Sequence, residues 1–129
     1  MEKRNKMKSC IKKYDISREY FFDEGCFITE LSNTPDDREV SIARVRVEPG
    51  KTTQWHCLQG VTERYVILEG IGSAEVGNLG PQAVNVGDTV MIPPGERQRI
   101  SNMGENSLIF LAICSPRFEK SVYVEIRGI

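Results

Sequence analysis

Short stretches with a period of two run through most of this chain, and glycine or proline cuts them at close intervals. Residues 40–47 place Ala43, Val45 and Val47 on one face and Arg44 and Arg46 on the other, the spacing of a strand. Residues 20–22, 26–31, 65–68, 73–76, 83–86, 89–92 and 108–113 are rich in β-branched or large apolar side chains, as strands are. Residues 122–126 read as a last strand or a docking segment. Breaks fall at Gly60, Gly70, Gly77, Gly80, Gly87, Gly95 and Gly104, and an acidic glycine turn occupies residues 23–25. Pro93, Pro94 and Gly95 cannot sit inside a central strand and mark a loop. No helical period is sustained. Many short strands between Gly and Pro turns predict an all-β sandwich or barrel.

The chain has 129 residues, enough for one domain with its own core. A basic arm is expected over residues 1–19, with Lys and Arg concentrated in residues 1–13, and a β-barrel domain over residues 20–129. Formal net charge is -1, so no basic excess points to nucleic acid or to an anionic membrane surface. No leader-like apolar stretch follows the basic start, and no apolar run has the length of a spanning helix. A cytoplasmic location with reduced thiols is expected. The four cysteines, Cys10, Cys26, Cys57 and Cys114, show no C-x-x-C spacing and read as small buried hydrophobes. A nucleophilic role for Cys114 lacks a base, because the chain holds one histidine.

Two segments carry a resemblance. In residues 50–70, Gly50 is followed by KTTQW and His56, then Leu58, Glu63, RYVILE and Gly70. In residues 87–102, Gly87 is followed by DTVMI, Pro93, Pro94 and Gly95, then Gln98 and Asn102. Together they resemble the paired motifs of the cupin superfamily. That resemblance implies a double-stranded β-helix, or jelly-roll barrel, in a single domain. It also implies a divalent ion (Fe, Mn, Ni or Zn) held by two histidines and a glutamate of the first motif and a histidine of the second. Here His56 and Glu63 match, while Leu58 and Gln98 stand where the other histidines would be. Two readings of the site follow. In one, His56, Glu63 and Gln98 hold a metal ion. In the other, they form a metal-free polar cluster.

Strand alternation puts His56 with Leu58, Glu63 with Tyr65 and Ile67, and Gln98 with Ile100, each set on one face. If these faces turn inward, all line one pocket. Glu63 and Tyr65 are then the candidates for moving a proton. Glu63 would need a partner inside a barrel: a metal ion, Arg46, Arg99 or a proton of its own. Arg46 is a candidate at the cavity mouth, where it would suit an anionic ligand. Arg97 and Arg99 lie on the face opposite Gln98, and Trp55 points away from His56.

The resemblance implies a small oxygen-rich ligand, a carboxylate or a sugar, and a reaction of isomerase, decarboxylase, dioxygenase or lyase type. The competing function is a metal-free binding or sensor protein without turnover, and a third reading is a filled, vestigial pocket. The resemblance also implies a homodimer, with residues 20–31 exchanged between partners.

Overall fold

A computed structural model describes residues 7–128. The part of the expected basic arm before residue 7 lies outside the described residues. Residues 7–15 are irregular and exposed, and a short 3-10 turn, Ile16–Arg18, leads into the first strand. Eleven strands follow: β1 (Tyr20–Phe22), β2 (Cys26–Ser32), β3 (Ser41–Val47), β4 (His56–Leu58), β5 (Thr62–Glu69), β6 (Gly72–Val76), β7 (Gln82–Val84), β8 (Thr89–Ile92), β9 (Gln98–Asn102), β10 (Leu108–Ser115) and β11 (Tyr123–Glu125). The two motif segments run as strand, turn and strand, and the ambiguous tail at 122–126 contributes β11. Among the described residues no helix is long and apolar enough to cross a membrane, and the four cysteines are free thiols.

The strands form two antiparallel sheets packed face to face. One has the order β1-β2-β3-β10-β5-β8 and the other β11-β4-β9-β6-β7. Chain neighbours rarely lie side by side, because the chain crosses between sheets at its Gly and Pro turns. β1 pairs with β2 of its own chain through a tight turn, with Tyr20 opposite Ile28.

Alternation along the strands sorts the interior into two ends. On β5 the inward side chains run Glu63, Tyr65, Ile67; on β9 they run Gln98, Ile100, Asn102; on β10 they run Cys114, Ala112, Phe110, Leu108. The β5–β10 register sets Glu63 opposite Cys114 and Ile67 opposite Phe110. Each strand therefore passes from a polar group to large apolar ones in a few residues. Ile67, Ile92, Ile100, Leu108 and Phe110 fill the apolar end. Burying each such side chain stabilises the fold by roughly 1.5–3 kcal/mol. Leu58, Val61 and Cys114 form a smaller cluster at the polar end, covered by Phe118, Val122 and Tyr123.

The motif residues without site chemistry hold the frame. Asn102 donates to the Val47 and Asn106 carbonyls at 2.9 and 2.8 Å and accepts from the Gly104 amide at 2.9 Å. That ties a loop and the end of β3 to the end of β9. Gly70 has φ +90°, and a Cβ there would meet the Ser107 carbonyl oxygen at 2.8 Å and Leu108 Cα at 3.0 Å. Both neighbours are backbone and cannot rotate away. Gly70→Ala should therefore destabilise the protein by about 2 kcal/mol or more, read from urea denaturation. A change within about 0.5 kcal/mol, the size of an ordinary surface substitution, would contradict this account of the turn.

Candidate functional site

The site lies between the sheets at the polar end. His56 on β4 and Gln98 on β9 are cross-strand partners in one sheet. Glu63 on β5 and Cys114 on β10 are partners in the other. A cavity of about 50 Å³ lies beside them, and His56, Leu58, Glu63, Tyr65 and Cys114 are among its lining residues.

His56 is 3% exposed. Its Nδ1 lies 2.7 Å from the Gln54 carbonyl oxygen and 3.2 Å from Glu24 Oε2. A carbonyl oxygen can only accept, so Nδ1 carries a proton and Nε2 is the atom left for other chemistry. The ring stacks on Tyr123, with centroids 5.0 Å apart and planes at 18°. Phe22 supports Tyr123 edge-on at 5.1 Å.

Glu63 is 8% exposed. Its Oε2 takes a weak hydrogen bond from the Cys114 thiol at 3.6 Å, and its Oε1 has no partner. Burial pushes its pKa from 4.5 up to about 7; Glu24 adds to the rise, while His56, Gln98 and Cys114 oppose it. Burial also pushes the Cys114 thiol far up, so it stays protonated and inert.

Gln98 is 1% exposed, and its Oε1 accepts the Tyr65 hydroxyl. Its Nε2 closes no hydrogen bond. Burial raises the Tyr65 pKa well above 10, and the ring packs at a tilt against Phe110 with centroids 4.4 Å apart. The Tyr65 hydroxyl is thus committed to holding Gln98.

Glu24 escaped sequence reasoning. It sits in the acidic glycine turn at 23–25, and the turn folds back over the barrel mouth because the Gln54 amide donates to the Glu24 carbonyl at 2.7 Å. The carboxylate then reaches His56 with one oxygen and accepts the Cys26 thiol at 3.1 Å with the other. The only signal was the turn itself, which says nothing about which distant strand it meets. Glu30 and Ser41 also line the cavity. Glu30 is raised by burial, tempered by Asn33 and Arg117.

Three expected pocket residues lie elsewhere. Val45 faces inward, so Arg46 faces out, where its guanidinium binds Glu19 at 3.1 and 2.7 Å and lies 4.2 Å from the Phe27 ring centroid. Ile67 and Ile100 belong to the apolar core beyond the cavity. Arg99 pairs with Glu75 at 3.2 Å and, with Arg97, stacks on Trp55 on the outer face. Neither Arg46 nor Arg99 neutralises Glu63.

The side chains present do not fit a metal ion. The oxygen of Gln98 is neutral, a weaker ligand than imidazole, and is held toward the Tyr65 hydroxyl; its nitrogen is a donor, and Leu58 offers no lone pair. Among the described residues no group of three His, Cys, Asp or Glu side chains is arranged to hold one. His56 and Glu63 alone fall short of the three protein ligands usual for such a centre.

Comparisons agree with this architecture. The model of the Cupin domain family matches residues 43–114. An uncharacterized protein of Methanocaldococcus jannaschii is 32% identical over 114 residues, covering 87% of this chain and 90% of that one. A variant of Streptomyces Pac13 solved with uridine superposes with a TM-score of 0.75 at 21% identity, over 95% of this chain and 94% of the other. Pac13 is described as a unique nucleoside dehydratase. A predicted oxalate decarboxylase from Thermotoga maritima superposes with a TM-score of 0.65 at 27% identity, over 70% and 80% of the two chains. With the family model matched over more than half of the chain and the double-stranded β-helix in place, the chain belongs to the cupin family.

Proposed function

We propose that this cupin is an enzyme that moves protons on a small hydroxyl-bearing molecule, with Glu63 and His56 as the working pair and no metal ion in the step. The observation that carries this reading is the unpartnered Oε1 of Glu63, buried beside a cavity that His56 also lines. A carboxyl group with a pKa near 7 is matched to general acid–base work at neutral pH. The donor set favours the lyase and isomerase types over the others expected from the resemblance. In a lyase step, the Glu63 carboxylate takes a proton from a carbon next to a carbonyl. The electron pair forms the new double bond, and a β-hydroxyl leaves as water with the second proton that the imidazolium form of His56 carries on Nε2, while the Nδ1 proton stays in its hydrogen bond to the Gln54 carbonyl. Gln54 and Glu24 hold the ring through Nδ1, and Tyr65 acts through Gln98 as a positioning residue. The structural likeness to a nucleoside dehydratase supports the fold's capacity for such chemistry.

Incubation with hydroxy-aldehydes and hydroxy-ketones in deuterated water tests the reading by NMR. The wild type should exchange or eliminate at the carbon next to the carbonyl, and Glu63→Gln should lose about 10²–10⁴ of that rate. Ligand binding with no exchange in either protein would instead assign a binding protein without turnover.

The same carboxyl makes stability depend on pH. Folded Glu63 holds its proton to about pH 7, whereas the unfolded group releases it near 4.5. Its contribution is therefore fully present below 4.5 and is lost as pH rises through 7, by on the order of 3 kcal/mol in all. In denaturant titrations from pH 4.5 to 8, wild type should lose stability relative to Glu63→Gln. Parallel curves for the two proteins would show that Glu63 ionises normally.

A further inference from the structure

The charges around the cavity are one-sided. Glu24, Glu30 and Glu63 line it, and among the described residues no Lys or Arg does. The basic groups near two of the three are already engaged. Glu24 faces His56 at 3.2 Å, and Glu30 feels Arg117. Arg117 itself is bound to Asn33 and Glu119. Of basic groups, Glu63 feels only the His56 ring, which Glu24 already engages, while Arg46 and Arg99 point outward to Glu19 and Glu75. The Glu63 side chain is more than nine-tenths buried and lines the cavity, and its Oε1 closes no hydrogen bond among the described residues. An entering group therefore meets an acceptor that closes no hydrogen bond of its own, eased by the nearby Gln98 amide and His56, in surroundings where like charge is repelled strongly.

The walls point the same way. Tyr20, Phe22, Phe118 and Tyr123 contribute aromatic rings to the lining. Aromatic faces attract cations and give nothing comparable to anions. About 50 Å³ of space accommodates roughly four water-sized groups, which suits a short head group.

We infer that this cavity takes the ammonium group of a small amino alcohol or amino sugar, with the ammonium against Glu63 Oε1 and a neighbouring hydroxyl toward His56. The inference rests on Glu63 as the working carboxyl and concerns the group it holds; an ammonium on Oε1 occupies the oxygen that the proton transfer would use, so the two readings are tested separately. It removes the carboxylate ligands that the family resemblance allowed, because no cation in the lining is left to receive one. A neutral polyol would satisfy the hydrogen bond of Oε1 but not its charge; an ammonium satisfies both.

Calorimetric titration of the full chain with ethanolamine, ethylene glycol and glycolate tests it, since the three probes are matched in size and differ in charge. Ethanolamine should bind at least about tenfold more tightly than ethylene glycol, with glycolate weakest. In Glu63→Gln, which keeps the side-chain shape, ethanolamine should fall to the level of ethylene glycol. Equal binding of ethanolamine and ethylene glycol, a preference for glycolate, or binding of none of the three would overturn the inference. The wild-type ranking alone decides, so the test survives a poorly folded variant. Deuterium exchange that depends on Glu63 would leave the proton-transfer reading standing if the ranking failed. Loss of that exchange with the ranking intact would remove only the chemistry.

Discussion

A carboxyl group buried between two sheets without a full set of partners constrains everything near it. Glu63 has one weak contact from a thiol and one oxygen with none. In an apolar medium the charged form of such a group is expensive, so it holds a proton far above its usual range. The apolar end of the barrel offsets that cost. Ile67 and Ile100 lie two positions beyond the inward side chains of Tyr65 and Gln98, and their burial belongs to the same strands that present the polar groups. The cross-strand pairing that places Glu63 opposite Cys114 also fixes Ile67 opposite Phe110. The site and the core are therefore two ends of one register.

Much of this was legible in the chain. Alternation on 62–69 and 98–102 predicts which side chains share a face, and the glycines and prolines of the two motifs predict where strands stop. Gly70 is the plainest case, since a turn with φ +90° pressed against Ser107 accepts no other residue without strain. Alternation could not say which face of residues 40–47 turns inward. Arg46 was a reasonable pocket candidate until Val45 took the interior and Glu19, from the arm before β1, took the guanidinium. Ile67 and Ile100 turn inward as the alternation predicts but lie deeper than the cavity, because a period of two carries no information on position along the barrel axis.

Glu24 shows where sequence reading ends. Its turn is visible, but its contact with His56 spans two sheets and depends on the Gln54 backbone amide. Stacking of Tyr123 on His56 likewise arises because β11 pairs with β4, which no local pattern specifies. The side chains that hold His56 in place come from chain segments distant in sequence. Its chemistry differs from the metal centre that the family motifs imply. Gln98 spends its oxygen on Tyr65, and His56 spends Nδ1 on Gln54 and Glu24, so both residues act as oriented hydrogen-bonding groups.

The central claim is that Glu63 is a buried, under-partnered carboxyl poised near neutral pH. Titration of its side-chain carboxyl carbon by NMR, assigned with Glu63→Gln, tests this most directly. The account predicts a midpoint of about 7, well above the 4.5 of a free glutamate. A midpoint near 4.5 would mean that water or an unseen partner stabilises the charge, and the proton-transfer role would fail with it.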